Sequence, residues 1–271
     1  MRLTPDGVRY LQIAGGIDQP MPFKLRRGLP QLCRTSETRW VIANVVSMLY
    51  ASVGIGVLAS QHGASLGISC LASVLFLGLP WVRFCAQCPV LVDMPALMFA
   101  VLAAVAFPHS QAAGLLLAFA GAYVSERVPV WAALYAWNPI FLLALVVPVF
   151  NFFMWRTGDV EGEGFDGFAL RHPVRASRMS HARQWLSPAA MILPWGACLV
   201  AIFNPSWWLL AAVAAGYAQL LVATDTVRLY QQAAPVVCVA AAMAFPAGYF
   251  VWLAPVLVAS HLLNPWSGDG V

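Results

Sequence analysis

Trp40-Val41-Ile42-Ala43-Asn44-Val45-Val46-Ser47-Met48-Leu49-Tyr50-Ala51-Ser52-Val53-Gly54-Ile55-Gly56-Val57-Leu58-Ala59 runs for twenty residues without a charge. A helix that crosses a bilayer needs roughly 20 mainly apolar residues, and this stretch supplies them. The pattern continues on either side. From Trp40 to Trp155 the only formal charges are Arg83, Asp93, Glu126 and Arg127, and from Gln184 to Asn264 only Asp225 and Arg228. With 61% hydrophobic residues and a mean hydropathy of +0.75, the composition is that of a lipid-embedded chain. Open sheet edges cannot face lipid, so the expected class is all-α, a polytopic transmembrane helix bundle.

Further candidate spans read as Leu66–Val82, Asp93–Phe107, Ala112–Val124, Pro129–Trp155, Ser187–Phe203, Trp207–Val222, Ala233–Phe245 and Gly248–Leu263, giving about eight to ten crossings. Several are short, which implies tilted or re-entrant segments or pairing across tight turns. The expected location is an integral, multi-pass protein of a bacterial plasma membrane. No cleavable leader is expected, because residues 1–39 are polar and lack an apolar core.

Two polar segments punctuate the bulk. Residues 1–39 carry seven basic and three acidic residues and form an amphipathic loop. Residues 40–271 form the helical membrane domain, broken by a polar loop at 156–186 in which Asp159, Glu161, Glu163 and Asp166 precede Arg171, Arg175, Arg178 and Arg183. That loop imitates the start of a calcium-binding hand, but Leu170 stands where the closing Glu belongs. Cys85-Ala-Gln-Cys88 is too little for structural zinc and reads as a local disulfide or as two plain thiols. Nothing points to nucleic acid. The net charge of +4 sits mostly next to the bilayer, where anionic headgroups account for it.

Ionisable residues at membrane depth are costly and mark functional sites by default. Each also has a plainer role. Asp6 opens a short helix and reads as a cap for free backbone N–H groups. Asp93, before Met94-Pro95, reads as another cap, and Arg83 as an anchor reaching for headgroups. Glu126 and Arg127, adjacent between two helical stretches, form an interfacial ion pair on this reading. Asp225 and Arg228, three apart, share a helix face and can neutralise each other.

Four stretches carry a resemblance. Asp6-Gly7-Val8-Arg9-Tyr10 through Ala14-Gly15-Gly16, then Pro22-Phe23-Lys24-Leu25-Arg26-Arg27-Gly28-Leu29-Pro30, is similar to the first large loop of the GT-C superfamily, polytopic glycosyltransferases that use polyprenyl-phosphate-linked sugars. Pro89-Val90-Leu91-Val92-Asp93-Met94-Pro95 resembles the second acidic motif of that superfamily. Gly121-Ala122-Tyr123-Val124-Ser125-Glu126-Arg127-Val128-Pro129 resembles its break between helices. Ala223-Thr224-Asp225-Thr226-Val227-Arg228-Leu229-Tyr230-Gln231 with Pro235 resembles its late carrier-site element. The four occur in family order over most of the chain.

The resemblance implies transfer of a sugar from a polyprenyl-phosphate donor to an acceptor hydroxyl at the outer membrane face. It implies Asp6 as general base, Asp93 as helper or metal ligand, and Arg26, Arg127 and Arg228 as phosphate contacts. Tyr10, Glu126 and Asp225 complete the substrate-binding set, and a divalent cation (Mg or Mn) is allowed but not required. Superfamily members carry a span ahead of this loop and some a large soluble C-terminal domain. Met1 lies five residues before Asp6, so the expectation is either a chain that starts late or a shortened relative. The basic N-terminus by itself favours the cytoplasm, against the outer face that the resemblance implies. The rival reading is a non-catalytic carrier, flippase-like protein or scaffold, or an inactive relative.

Overall fold

The computed structural model describes residues 3–17, 19, 23, 26–154, 193–219, 231–246 and 250–262. Their regular structure is all helical, with no strand among them. In chain order the helices are α1 (Pro5–Ala14), α2 (Gly28–Cys33), α3 (Glu37–Gln61), α4 (Leu66–Gly78), α5 (Pro80–Gln87), α6 (Asp93–Ala106), α7 (Gln111–Val124), α8 (Val128–Tyr135), α9 (Val146–Met154), α10 (Trp207–Ala218), α11 (Ala234–Ala244) and α12 (Phe250–Leu262). Short 3-10 segments cover Pro139–Leu145, Leu193–Phe203 and Gln231–Ala233.

Among the described residues, α3 alone is by length and composition a complete candidate span, with 25 residues. The bent pair α4 and α5, which turn by 55° at their junction, makes a second if counted as one broken span. The other apolar helices are shorter, α6 and α7 having 14 residues each. The eight to ten full crossings expected from hydropathy are therefore not reached by helix length among the described residues. Tight turns cut the apolar sequence into short rods. The turn after α8 is one example: it falls inside the expected Pro129–Trp155 crossing, where Trp137 has φ +51 and the Asn138 N–H donates to Ala133 O at 2.9 Å.

The chain divides into two compact units, neither continuous in sequence: Met1–Ala51 with Cys85–Pro173, and Ser52–Phe84 with Val174–Val271. In the first, α6, α7 and α8 pack together at close range. A Cβ on Gly121 would stand 2.5 Å from Val128 Cγ1 and 2.6 Å from Phe99 Cβ, and one on Gly114 would stand 2.9 Å from Phe107 Cβ. Only glycine lets the helix axes approach so closely, so the α7–α8 turn is tightly held. Gly28 does the same for α2, where a Cβ would fall 2.8 Å from the Tyr123 ring. The end of α7 is thereby brought against the start of α2.

In the second unit, α4, α11, α12 and the Leu193–Phe203 segment pack around His261, which is 1% exposed. Its Nε2 donates to Leu75 O at 2.7 Å, and its Nδ1 accepts from the Ala197 N–H at 3.3 Å. Both ring nitrogens are thus satisfied by one neutral tautomer. The imidazole occupies space that two glycines leave open, since a Cβ on Gly78 or Gly196 would lie 2.6 Å or 2.5 Å from ring atoms. Gly196 also has φ +49, a conformation L side chains rarely adopt. Arg83, read from sequence as a headgroup anchor, donates from Nη1 to Leu262 O at 3.2 Å. Cys85 and Cys88 are buried thiols.

Candidate functional site

The polar cluster lies in the first unit and starts from α1. Thr4, not Asp6, caps this helix: its hydroxyl accepts from the Gly7 N–H at 3.0 Å. Pro5 at the first helical position suits such a start, because its missing N–H would be unsatisfied there anyway. This corrects the capping role read for Asp6, which sits in the first turn instead, where a carboxylate is favoured by the helix dipole. One turn on, Arg9 Nη1 lies 3.9 Å from Asp6 Oδ1. Tyr10 follows on α1 and is 2% exposed.

Tyr10 meets Arg26, on the lead-in to α2. Arg26 Nη1 donates to the Tyr10 hydroxyl at 3.1 Å. Arg26 Nε donates to Glu126 Oε2 at 2.9 Å, and Nη2 donates to Glu126 Oε1. This is a two-pronged guanidinium–carboxylate bond, the strong and orienting kind. Phe23 completes the nest. Its ring stands edge-on to Tyr10 at 5.4 Å, with the Arg26 and Arg9 guanidinium carbons 5.9 Å and 4.7 Å from its centre, within cation–π range. Trp40 backs Tyr10 at 6.4 Å and donates from Nε1 to Arg34 O at 2.8 Å.

The second acid arrives on α6. Asp93 is its first helical residue, and the capping position falls on Val92 with no side-chain cap bond. The plain capping role read for Asp93 is therefore corrected as well. Its carboxylate is buried, with Oδ1 3.8 Å from Arg127 Nη1. The approach to α6 is pinned by the Asn44 amide donating to Pro89 O at 3.1 Å and by close packing of Gly7 on Val90. Arg127 also places Nε 3.7 Å from Glu126 Oε1. The intimate partner of Glu126 is therefore Arg26, a hundred residues away, and not its neighbour Arg127. Consecutive residues do not face each other around a helix start, which leaves Glu126 free to turn toward α2.

The electrostatics follow this pairing. Burial alone pushes the Glu126 carboxyl up; the charge and hydrogen bonds of Arg26, with help from Arg127, more than reverse that and hold it at about 2. Burial likewise disfavours the charged Arg26, but Glu126 and Tyr10 overcome it and hold the guanidinium well above its ordinary value. Arg127 differs: burial and the nearby Arg26 charge lower it, and Glu126 and Asp93 do not fully make this good. Burial raises the Tyr10 phenol, Arg26 opposes this, and Asp93 and Asp6 add to it. Both acids thus lie within electrostatic reach of one phenol.

Of the eight residues marked in the sequence, Tyr10, Arg26, Asp93, Glu126 and Arg127 come together, with Asp6 at the margin beside Arg9. Asp225 and Arg228 lie outside the described residues, as does the 156–186 loop. Phe23, Arg9, Trp40 and Asn44 were not marked as site residues. Phe23 and Arg9 each stand three positions from a marked residue, Arg26 and Asp6, which is the one signal that could have found them. A divalent cation draws on several free oxygen donors. The two carboxylates here each face a guanidinium, and among the described residues no three His, Cys, Asp or Glu side chains group together. The cluster as built does not fit a metal, and its chemistry is read without one.

No family model, no curated protein and no solved structure matches this chain.

Proposed function

We propose that the chain is a membrane glycosyltransferase of the GT-C kind, moving a sugar from a polyprenyl-phosphate donor to an acceptor hydroxyl at the outer membrane face. One observation carries the reading. Three sequence stretches singled out by motif order, around Tyr10 and Arg26, around Asp93, and around Glu126-Arg127, supply the members of one buried ionic cluster. Buried charges are expensive unless they pair or act, and these combine carboxylates with guanidinium charge of the kind that suits a phosphate.

In the proposed reaction an acceptor hydroxyl gives its proton to a carboxylate, Asp6 by family likeness with Asp93 as helper. The acceptor oxygen bonds to the anomeric carbon while the carbon–oxygen bond to the carrier phosphate breaks. The electron pair goes to the phosphate, whose growing negative charge gains from fixed cations in a dry site. A positioned base contributes on the order of 10²–10⁴-fold in rate.

A lipid setting is supported by the outer face of α3. Ile42, Val45, Leu49, Val53 and Val57 are all exposed on it at spacings of three and four residues, a continuous apolar stripe that water would penalise. The multi-pass arrangement and the plasma-membrane location belong to this proposal, with the shorter apolar helices crossing in pairs.

The test is turnover by the full chain in nanodiscs, read as release of free polyprenyl phosphate from a polyprenyl-phosphate sugar. Asp6→Asn and Asp93→Asn are expected to lose at least about a hundredfold in rate while melting like the parent. Unchanged turnover in both would move the reading to a non-catalytic carrier or scaffold. A single Cys at position 6 in a Cys-free background should react with an impermeant thiol reagent on intact cells; protection until lysis would remove the outer-face mechanism.

A further inference from the structure

We propose that Arg127 is the guanidinium that receives a phosphate oxygen, and that Arg26, though deeper in the same cluster, is a positioning residue that does not touch substrate. This rests on the reading of the cluster as a lipid-phosphate site and divides labour between two arginines that the sequence treats alike.

The division comes from counting donors. Each of the three Arg26 nitrogens already donates to a protein acceptor, two to Glu126 and one to Tyr10. Its side chain is 8% exposed, and its charge is more than balanced. Three of its five N–H groups are taken up in this way, and they fix the plane of the guanidinium against Glu126 and Tyr10. Arg127 Nη1 is buried and has no hydrogen-bond partner. The carboxylate oxygens nearest Arg127 stand at 3.7 Å and 3.8 Å, beyond the reach of a hydrogen bond. They hold the guanidinium by charge without saturating it. Because Glu126 spends its geometry on Arg26, the positive charge on Arg127 is left under-balanced. A further anion would relieve it.

Exposure agrees. The Arg127 side chain keeps 19% of its surface open, more than twice the share left to Arg26. Nη1 itself is buried, so the open part lies elsewhere on the side chain, and a phosphate oxygen that reached the guanidinium would make a charge-assisted bond of about 2.7–2.9 Å. Arg26 holds Glu126 in place, Glu126 and Asp93 hold Arg127, and Arg127 meets the ligand. A guanidinium without a close hydrogen bond suits a phosphate group, whether that group carries a lipid tail or is free.

The experiment uses the full chain in nanodiscs, with farnesyl phosphate and inorganic phosphate as probes and isothermal titration as the readout. Melting curves are taken on every variant. Arg127→Gln is expected to weaken farnesyl phosphate at least about tenfold, equivalent to ~1.4 kcal/mol, while melting close to the parent. Arg127→Lys, which keeps the charge and loses the planar fork, should fall between, and stands in if the Gln variant does not fold. Arg26→Lys should melt earlier but, at a temperature where it stays folded, bind within about threefold of the parent. Competition by inorganic phosphate would identify the phosphate group alone as the ligand; its failure to compete would require the lipid tail. Parent-like binding by Arg127→Gln, or loss of binding by folded Arg26→Lys, would overturn the division of labour and leave the lipid-phosphate reading standing. A parent chain that binds neither probe would overturn both.

Discussion

The Arg26–Glu126 cluster and the His261 site bury polar groups by opposite means. The first gathers opposite charges from the lead-in to α2, from α6 and from the α7–α8 turn around the Tyr10 phenol of α1, and leaves a buried guanidinium nitrogen of Arg127 without a hydrogen bond. The second buries one neutral ring, satisfies both its nitrogens with backbone groups, and clears room for it with two glycines. A closed arrangement of that kind is what holding helices together requires. Incomplete compensation, kept at the cost of desolvated charge, is what a site that awaits a ligand looks like.

Breaking the clamp should have the largest effect. Arg26→Ala strands Glu126 partly buried beside a single distant cation, and removing one partner of a buried pair typically costs about 3–5 kcal/mol. Urea or thermal unfolding of the first unit would show it; a loss under about 1 kcal/mol would mean that the pair behaves as a surface ion pair. Acid should act through the same bond. The folded Glu126 carboxyl is depressed to about 2 from an ordinary 4.5, so its contribution is complete above that ordinary value and fades as pH falls toward 2. The parent should lose more stability over that window than Glu126→Gln does, and parallel acid curves would contradict this.

The histidine site should answer to shape instead. Gly196→Ala sets a Cβ against the His261 ring and asks alanine to hold φ +49, for about 1–3 kcal/mol of overpacking. In a His261→Ala background the steric part should vanish and the backbone part remain, a coupling that a double-mutant cycle would read. Equal costs in both backgrounds would mean that the ring yields. Smallest of all is Arg127→Gln, expected to change stability by less than about 1 kcal/mol, because it removes charge contacts too long to be hydrogen bonds and relieves a buried cation. A loss near that of Arg26→Ala would place Arg127 in the clamp and erase the contrast within the cluster.

Much of the cluster was legible in the chain because rare charges in an apolar sequence are informative: Asp93, Glu126 and Arg127 stand out where almost nothing else is ionisable. Their partners were less legible. Glu126 and Arg127 read as a pair because they are adjacent, yet adjacency says nothing about direction, and the bond went to Arg26. The capping roles of Asp6 and Asp93 failed for local reasons, Thr4 taking the first and a backbone turn at Val92 the second. Span counting fared differently again. Hydropathy registers apolar residues but not every turn that cuts them: the single crossing read over Pro129–Trp155 is broken after Tyr135, where Trp137 takes φ +51, into α8, a 3-10 segment and α9.

What the sequence by itself determined is the class of structure and the identity of the residues worth watching. Long uncharged runs can satisfy their backbone only as helices, and charges kept among them must pair or act. The tertiary structure alone decided which guanidinium is clamped and which is left open. That choice depends on how closely Gly28 and Gly121 let α2, α7 and α8 approach, and tenths of an ångström between non-neighbouring residues are not written in any local pattern.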